Sequence, residues 1–444
     1  MRGLIVSSVF YRDPGSSYPT AVRGEGVYLY DDAGRQYLDM SGGAAVSCLG
    51  HGHADVVHAV QEQAGKLSFA HTAFFTNEPQ EELASRLAAR FAEKDAKVWF
   101  TSGGSEANES ALKIAWQYWR ARHQPEKTII ISRQFSYHGG TLGATSVSGS
   151  VFRRAPFERV LHDWPRIAPC YAYRHQLEGE TAQEYGHRAA VELDEAIRLA
   201  GPQNVAAFIA EPVVGATLGV VPAVPGYFAD IRRICDQHHV LFIADEVMCG
   251  SGRCGTFYAH DDDGIVPDMV TIAKGLGGGY QPIGAVITRN FICDAIRQDP
   301  GGFAHGHTYI GHAIACAAGV AIQKCLDDGL LATVSAKGEQ LMRLLHERFG
   351  EHPHVGDIRG RGLFVGMEFV SNRKTKMAFP VEDGIPAKLK RAAMANGLIC
   401  YPGGGSVDGR RGAHLLLAPP IIAEEQHFQE LADRLAKVLR SVFE

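Results

Sequence analysis

Five short apolar runs constrain this chain more than any other feature: Lys97-Val-Trp-Phe100, Thr128-Ile-Ile-Ile131, Val205-Ala-Ala-Phe-Ile209, Val240-Leu-Phe-Ile243 and Met269-Val-Thr-Ile272. Each is of strand length, and none alternates apolar with polar as a strand with one wet face does. A strand without a polar face is buried on both sides, and helices wound over a parallel sheet are the ordinary way to bury it. Segments at helical spacing supply the helices. His53 to Lys66 repeats at Val56, Val57, Val60 and Ala64, Glu78 to Phe91 repeats at Leu83, Leu87 and Phe91, and residues 105–122 and 226–239 lie between the runs. The pattern predicts an α/β fold with a mostly parallel large-domain sheet and helices on both faces.

After about residue 330 the texture changes. Helical periods over 331–349 and 423–443 enclose strand-like Gly362-Leu-Phe-Val-Gly-Met-Glu-Phe369 and His414-Leu-Leu-Leu417, which predicts a smaller α+β domain. Gly26-Val-Tyr-Leu-Tyr30 and Gln36-Tyr-Leu-Asp39 read as a hairpin that joins it. The expected division is residues 1–52 as the N-terminal part of the small domain, 53–330 as the large domain and 331–444 as the C-terminal small domain, a partition that 444 residues can fill.

Composition narrows the partners. A net charge of -5 with no polybasic block offers nothing to nucleic acid or an anionic membrane, so a small-molecule substrate is expected. Nine cysteines without a CxxC pair suit a reducing compartment. The apolar stretch in Met1–Phe10 is short, without a cleavage signature, and no segment reaches membrane-span length, so the expected location is the cytoplasm.

In an open α/β sheet, ligands bind beyond the carboxyl ends of the strands, where Ser102, Glu211, Asp245 and Lys274 all fall. Thr101-Ser-Gly-Gly-Ser-Glu106 puts a glycine-rich turn between a strand and a helix. Free backbone N–H groups and the helix dipole there make a phosphate cradle at Gly104 and Ser105, a plain Ser105 cap being the simpler alternative. Tyr137, in Ser136-Tyr-His-Gly-Gly140, offers a ring to stack on a flat cofactor with His138 beside it, although a buried tyrosine with a satisfied hydroxyl is the commoner case. A carboxylate such as Asp245 keeps a pyridine nitrogen protonated and the ring electron-withdrawing, an aspartate that merely caps a loop at a strand end being the alternative. Lys274 closes one apolar run and opens the glycine-rich Gly275–Gly279, where burial lowers an amine's pKa enough to make it a nucleophile. Together these residues suggest pyridoxal phosphate chemistry. The three histidines of His305-Gly-His-Thr-Tyr-Ile-Gly-His312 have no acidic companion at telling spacing, and no metal is expected.

From Gly26 to Pro420 the chain resembles the class III aminotransferases, pyridoxal phosphate enzymes of fold type I. The resemblance rests on Leu49-Gly-His-Gly-His53, Ser102-Gly-Gly-Ser-Glu-Ala-Asn108, Tyr137-His-Gly139, Glu211-Pro212, Asp245-Glu-Val247, Ala273-Lys-Gly-Leu276 and Gly306-His-Thr-Tyr-Ile-Gly-His312. It implies that Lys274 forms the Schiff base with the cofactor, that Asp245 pairs with the pyridinium and that Tyr137 stacks on the ring with Val247 on its other face. It further implies that Gly104 and Ser105 hold the phosphate, that His138 and Glu211 belong to the cofactor site, and that Thr308 reaches the phosphate of a neighbouring subunit's cofactor. A homodimer with shared active sites, or a pair of dimers, follows from that last assignment.

Departures from the family pattern bear on the substrate. Members acting on acetylornithine, ornithine or 4-aminobutyrate carry an arginine where Leu416 stands and a glutamate where Ala216 stands, so their gate for α-carboxylates is missing. Glu211-Pro-Val-Val-Gly-Ala216 is similar to the ω-transaminase branch, which takes amines or ω-amino acids and commonly uses pyruvate. That branch holds the acceptor carboxylate with a mobile arginine; here either Arg410 or Arg411 forms the clamp, or both are solvated loop charges. Ala45 is expected where many ω-transaminases have a tryptophan, leaving a roomier donor site. Phe74 and Phe75 are expected either in the pocket, across a dimer interface, or in plain core packing. The expected activity is transfer of an amino group from an amine or ω-amino acid to a 2-oxo acid, pyruvate foremost, by a ping-pong mechanism. The alternatives are a diamino acid aminotransferase using 2-oxoglutarate, an aminomutase or a decarboxylating transaminase. A nucleotide-binding oxidoreductase is disfavoured because Gly275–Gly279 forms no GxGxxG.

Overall fold

The computed structural model describes residues 7–13 and 15–444, so Met1 to Val6 of the N-terminal apolar stretch lie outside it. All five apolar runs are strands of one seven-stranded sheet. In spatial order it runs Lys97–Thr101, Gly284–Thr288, Met269–Ile272, Leu241–Asp245, Val205–Ala210, Ile129–Arg133 and Arg166–Ile167. Leu241–Asp245 occupies the centre and is parallel to both neighbours. Gly284–Thr288 alone runs antiparallel, against Met269–Ile272 on one side and Lys97–Thr101 on the other.

The uniformly apolar runs are explained by two cores. Ala207, Ile209, Leu241 and Ile243 face one core, together with Ala107, Ala111 and Ile114 of the helix Gly104–Ala121. The alternate residues Phe208, Ala210, Phe242 and Ala244 face the other, where they meet Leu193 of the helix Ala182–Ala200 and Phe228 and Ile231 of the helix Tyr227–Gln237. Successive side chains of a strand point to opposite faces, so a sheet covered on both sides needs apolar residues at every position. Each fully buried Phe, Leu or Ile contributes roughly 1.5–3 kcal/mol.

Several elements were absent from the sequence-based expectation, the strand Gly284–Thr288 and the helix Ala182–Ala200 among them. Gly284–Thr288 is wholly buried, and its leading glycine is a packing requirement, since a Cβ at Gly284 would lie 2.7 Å from Thr101 Oγ1 and 2.8 Å from the Gly103 carbonyl oxygen. The helix Ala182–Ala200 starts at a capping box in which Thr181 and Glu184 satisfy each other's backbone N–H groups.

A second sheet, wholly antiparallel, joins Val355–Arg361, Phe364–Phe369, Ala413–Leu417 and Tyr401–Gly404 in that order. The helices Leu331–Phe349 and Glu425–Phe443 lie where the sequence places them. The expected N-terminal hairpin forms between Tyr28–Asp31 and Gln36–Asp39, and its sheet gains a parallel strand, Leu398–Ile399, from the far end of the chain. Among the described residues no helix is long and apolar enough to cross a membrane.

Candidate active site

The carboxyl ends of the strands open onto a cavity of about 660 Å³. Gly104, Ser105, Tyr137, His138, Glu211, Asp245, Val247 and Lys274 all reach it, so the structure brings together every residue that the sequence suggested for the cofactor except Thr308.

Asp245 ends the central strand and is 3% exposed. Its Oδ2 lies 2.8 Å from Asn108 Nδ2 and 2.7 Å from His138 Nδ1, and its Oδ1 accepts from the Val247 N–H at 3.0 Å. Donors on both of its oxygens fix the carboxylate in direction. Asn108 closes the Ser102–Asn108 motif, and the sequence alone gives it no role. Its amide is turned by Thr271 Oγ1, which donates to Asn108 Oδ1 at 2.7 Å, so that the NH₂ faces Asp245. An asparagine inside a helix past its cap, a costly position for that residue, is the sequence signal that could have found it.

Lys274 follows the strand Met269–Ile272 and has φ 47°, a left-handed conformation that costs a non-glycine residue on the order of 1 kcal/mol or more. Its carbonyl accepts from the N–H groups of Gly277 and Gly278, which holds the turn. Burial lowers the amine to about 8, against the opposing pull of the Asp245 and Glu211 carboxylates and with a smaller push from Arg153. A neutral, nucleophilic amine is therefore accessible near neutral pH.

The helix Gly104–Ala121 begins at the cavity with Gly103 as its N-cap and no side-chain cap. Ser105 is therefore inside the first turn, and the simple capping role is excluded. Its Oγ instead accepts from the Gly140 N–H at 3.0 Å, tying the helix start to the Tyr137 loop. A Cβ at Gly104 would lie 2.6 Å from Val247 Cγ1, and one at Gly139 2.7 Å from Ser105 Cα, so these glycines let three segments converge. The first-turn N–H groups have no intrahelical acceptor and point out of the helix end, as an anion cradle requires. Glu211 is buried and accepts from the N–H groups of Tyr137 at 3.1 Å and Gly215 at 3.0 Å, which makes it the anchor of the tyrosine loop; burial pushes its carboxyl up. The residues present thus fit a phosphorylated pyridine aldehyde: an amine to bond it, a carboxylate for its ring nitrogen, an aromatic ring and a helix start for its phosphate.

Away from this floor, several of the expected residues lie outside this chain's cavity, as Thr308 should if it serves a neighbouring subunit. Ala45 does not line the cavity; it is buried against Val213, Met248 and Leu416, while Ala44 and Val46 reach the cavity. Positive φ at Gly42, Gly43 and Ala45 turns the segment and rotates its side chains by one position. Leu416 is buried in the same cluster, and Ala216 does line the cavity. Arg411 lies outside the cavity, its Nε 2.7 Å from Asp408 Oδ2 on the surface. Arg410 is exposed and lines an adjoining chamber, not the one with Lys274. Phe74 and Phe75 are 79% and 67% exposed, which rules out core packing within this chain, and neither lines the cavity. Thr308 is likewise exposed and off this cavity. The arginines that do line it, Arg12 and Arg153, were not anticipated.

Comparison with known proteins agrees with this geometry. The sequence pattern described as aminotransferase class-III matches residues 12–439. An uncharacterized aminotransferase of Schizosaccharomyces pombe is 43% identical over 435 residues, covering 98% of this chain and 95% of its own. A thermostable (S)-enantioselective omega-transaminase from Thermomicrobium roseum superposes with a TM-score of 0.90 at 35% identity, covering 97% of this chain and 94% of that one. The omega transaminase from Pseudomonas jessenii in complex with PMP gives 0.90 at 31% identity, with 98% and 96% covered. A lysine, a carboxylate and a helix start converging at the strand ends, in a chain matched along nearly its whole length, identify it as a member of the class III aminotransferases, a pyridoxal-phosphate-dependent aminotransferase of fold type I.

Proposed function

We propose that this protein moves an amino group from an amine or ω-amino acid to a 2-oxo acid, pyruvate in particular, in two half-reactions through one cavity. The observation that carries the reading is the pairing of Lys274, its amine brought down to about 8, with the buried Asp245 carboxylate on the same cavity wall. Bound pyridoxal phosphate supplies the electron sink that makes the donor's C–H bond acidic. With the cofactor in place, Asp245, oriented by Asn108, His138 and Val247, would hold a proton at the ring nitrogen. The helix start at Gly104 and Ser105 would take the phosphate, and Tyr137 and Val247 would confine the ring. Lys274 Nζ would be the covalent attachment point and, when free, the group that moves the proton at the donor carbon. Because donor and acceptor use one cavity, the first product leaves before the second substrate enters, giving ping-pong kinetics.

Ala216 on the cavity wall and Leu416 buried beyond it favour the amine and ω-amino acid branch, since neither offers the carboxylate gate of α-amino acid enzymes. We also propose a homodimer in which Thr308 and the Phe74–Phe75 pair meet a second copy. Phe69, Phe74, Phe75 and Tyr309 are all exposed, and the Phe69 and Tyr309 rings touch edge to face at 5.8 Å, an apolar surface suited to a partner. Nine cysteines, none of them disulfide-bonded, are in keeping with a cytoplasmic setting.

The test is a donor and acceptor screen on purified holoenzyme, following the cofactor's absorption. Conversion of the cofactor to its amine form by a donor, and back by a 2-oxo acid, is expected. Release of carbon dioxide, or product without an external acceptor, would overturn simple transamination in favour of a decarboxylating transaminase or an aminomutase.

A further inference from the structure

Arg411 pairs with Asp408 on the surface and Arg410 lines the adjoining chamber, whereas Arg12 and Arg153 are the arginines that line the Lys274 cavity itself. The Lys274 cavity adjoins a second chamber of about 860 Å³, and the two share Arg153, Ala216 and Tyr401 in their linings. Arg153 lies on the short helix Val151–Arg154 and is exposed at this junction. Its neighbour Arg154 is tied down, donating to the carbonyls of Thr145, Ser146 and Ser148 and pairing with Glu158. Arg153 has no ion pair and no hydrogen bond among the described residues, its one polar contact being the Tyr137 ring, whose centroid lies 4.3 Å below the guanidinium carbon. That contact positions the cation without engaging any of its N–H groups, so the whole donor fork is free. Its charge is near enough to Lys274 to weigh against the ammonium form there.

We propose that Arg153 binds the carboxylate of the 2-oxo acid acceptor and is the specificity-determining cation of the acid half-reaction. The proposal rests on the aminotransferase reading above. Tyr137 is the ring assigned to the cofactor face, and a guanidinium poised on it is placed to hold an acid whose carbonyl carbon lies towards Lys274. Ala216, with only a methyl group at the shared wall, leaves the junction open for an uncharged donor to pass Arg153 without a penalty. Charge-assisted, two-pronged pairing with a carboxylate gives the acid an advantage that an aldehyde of similar size does not share.

The experiment compares kcat/KM for a 2-oxo acid that the wild type turns over, pyruvate or 2-oxoglutarate, with that for an uncharged aliphatic aldehyde, using holoenzyme and one donor. Arg153→Ala should lower the acid-to-aldehyde ratio about 10- to 100-fold, chiefly through KM for the acid. Arg153→Lys, which keeps the charge and loses the fork, should fall between. Arg410→Ala and Arg411→Ala should shift the ratio less than about twofold. An equal fall for both acceptors would make Arg153 a structural residue and overturn the proposal. A ratio that moves only in Arg12→Ala or Arg410→Ala would overturn it in favour of that arginine. A wild type that turns over no 2-oxo acid at all would instead bring down the underlying reading, before any variant is made.

Discussion

The floor of the cavity and its rim are built by opposite means. At the floor, Asp245 accepts from three neighbours and Asn108 is itself oriented by Thr271, so a second layer fixes the first. At the rim, Arg153 rests on one aromatic ring, and Arg410 and Arg411 stand on an exposed loop. Chemistry common to every turnover sits where packing dictates geometry. Choice of substrate sits where few neighbours constrain a side chain, and where a change costs the fold little.

Substitutions test this contrast most severely at the floor. Lys274→Ala should lower turnover by at least ~10⁴-fold, because tether and proton carrier are lost together, while cofactor still binds non-covalently. Turnover within tenfold of wild type would break the assignment. Asp245→Asn removes the charge that stabilises the protonated ring nitrogen and should cost about 10²–10³-fold in kcat, read under saturating cofactor.

Asn108→Ala sharpens the comparison, since the side chain's hydrogen bonds run to Asp245, the His138 carbonyl and Thr271 and none runs to Lys274. It deprives Asp245 of one donor and should lower kcat about tenfold and stability by about 1–3 kcal/mol, measured by denaturant melts. Loss of stability with unchanged kcat would mean that the second layer serves folding alone. A pH dependence tests the floor without any substitution. Lys274 is lowered from the ordinary lysine value to about 8, so its neutral fraction rises about tenfold per pH unit below that point and levels off above it. The rate at which apoprotein takes up pyridoxal phosphate covalently should follow this curve. A rate still rising at pH 10 would show that burial does not set the amine's state.

The same contrast explains what the sequence disclosed. The five apolar runs were legible because every residue in them meets one core or the other, and Lys274 and Asp245 were legible because a charge ending such a run is conspicuous. The strand Gly284–Thr288 was missed although it is equally apolar, because its antiparallel direction breaks the alternation of strand and helix that organised the rest. The helix Ala182–Ala200 had a readable start in Thr181 and Glu184, and that signal went unused. Ala45 was one position from the residue that faces the cavity, because a turn with three positive φ values has no periodicity to count by. Arg153 was beyond sequence reasoning: its neighbour Arg154 looks the same in one dimension, and only the fold decides which of them turns towards Tyr137.

The two-sided burial of the central strands divides their residues by parity. Ile209 and Ile243 support the layer that carries the helix Gly104–Ala121, whereas Phe208 and Phe242 support the opposite layer. Equal losses of volume at adjacent positions therefore reach the catalytic floor by different routes. A scan along Leu241–Asp245 should trace a ripple, with odd positions disturbing phosphate affinity and even positions disturbing stability alone. The central strand thus mounts the phosphate-binding helix on one face and the helices Ala182–Ala200 and Tyr227–Gln237 on the other.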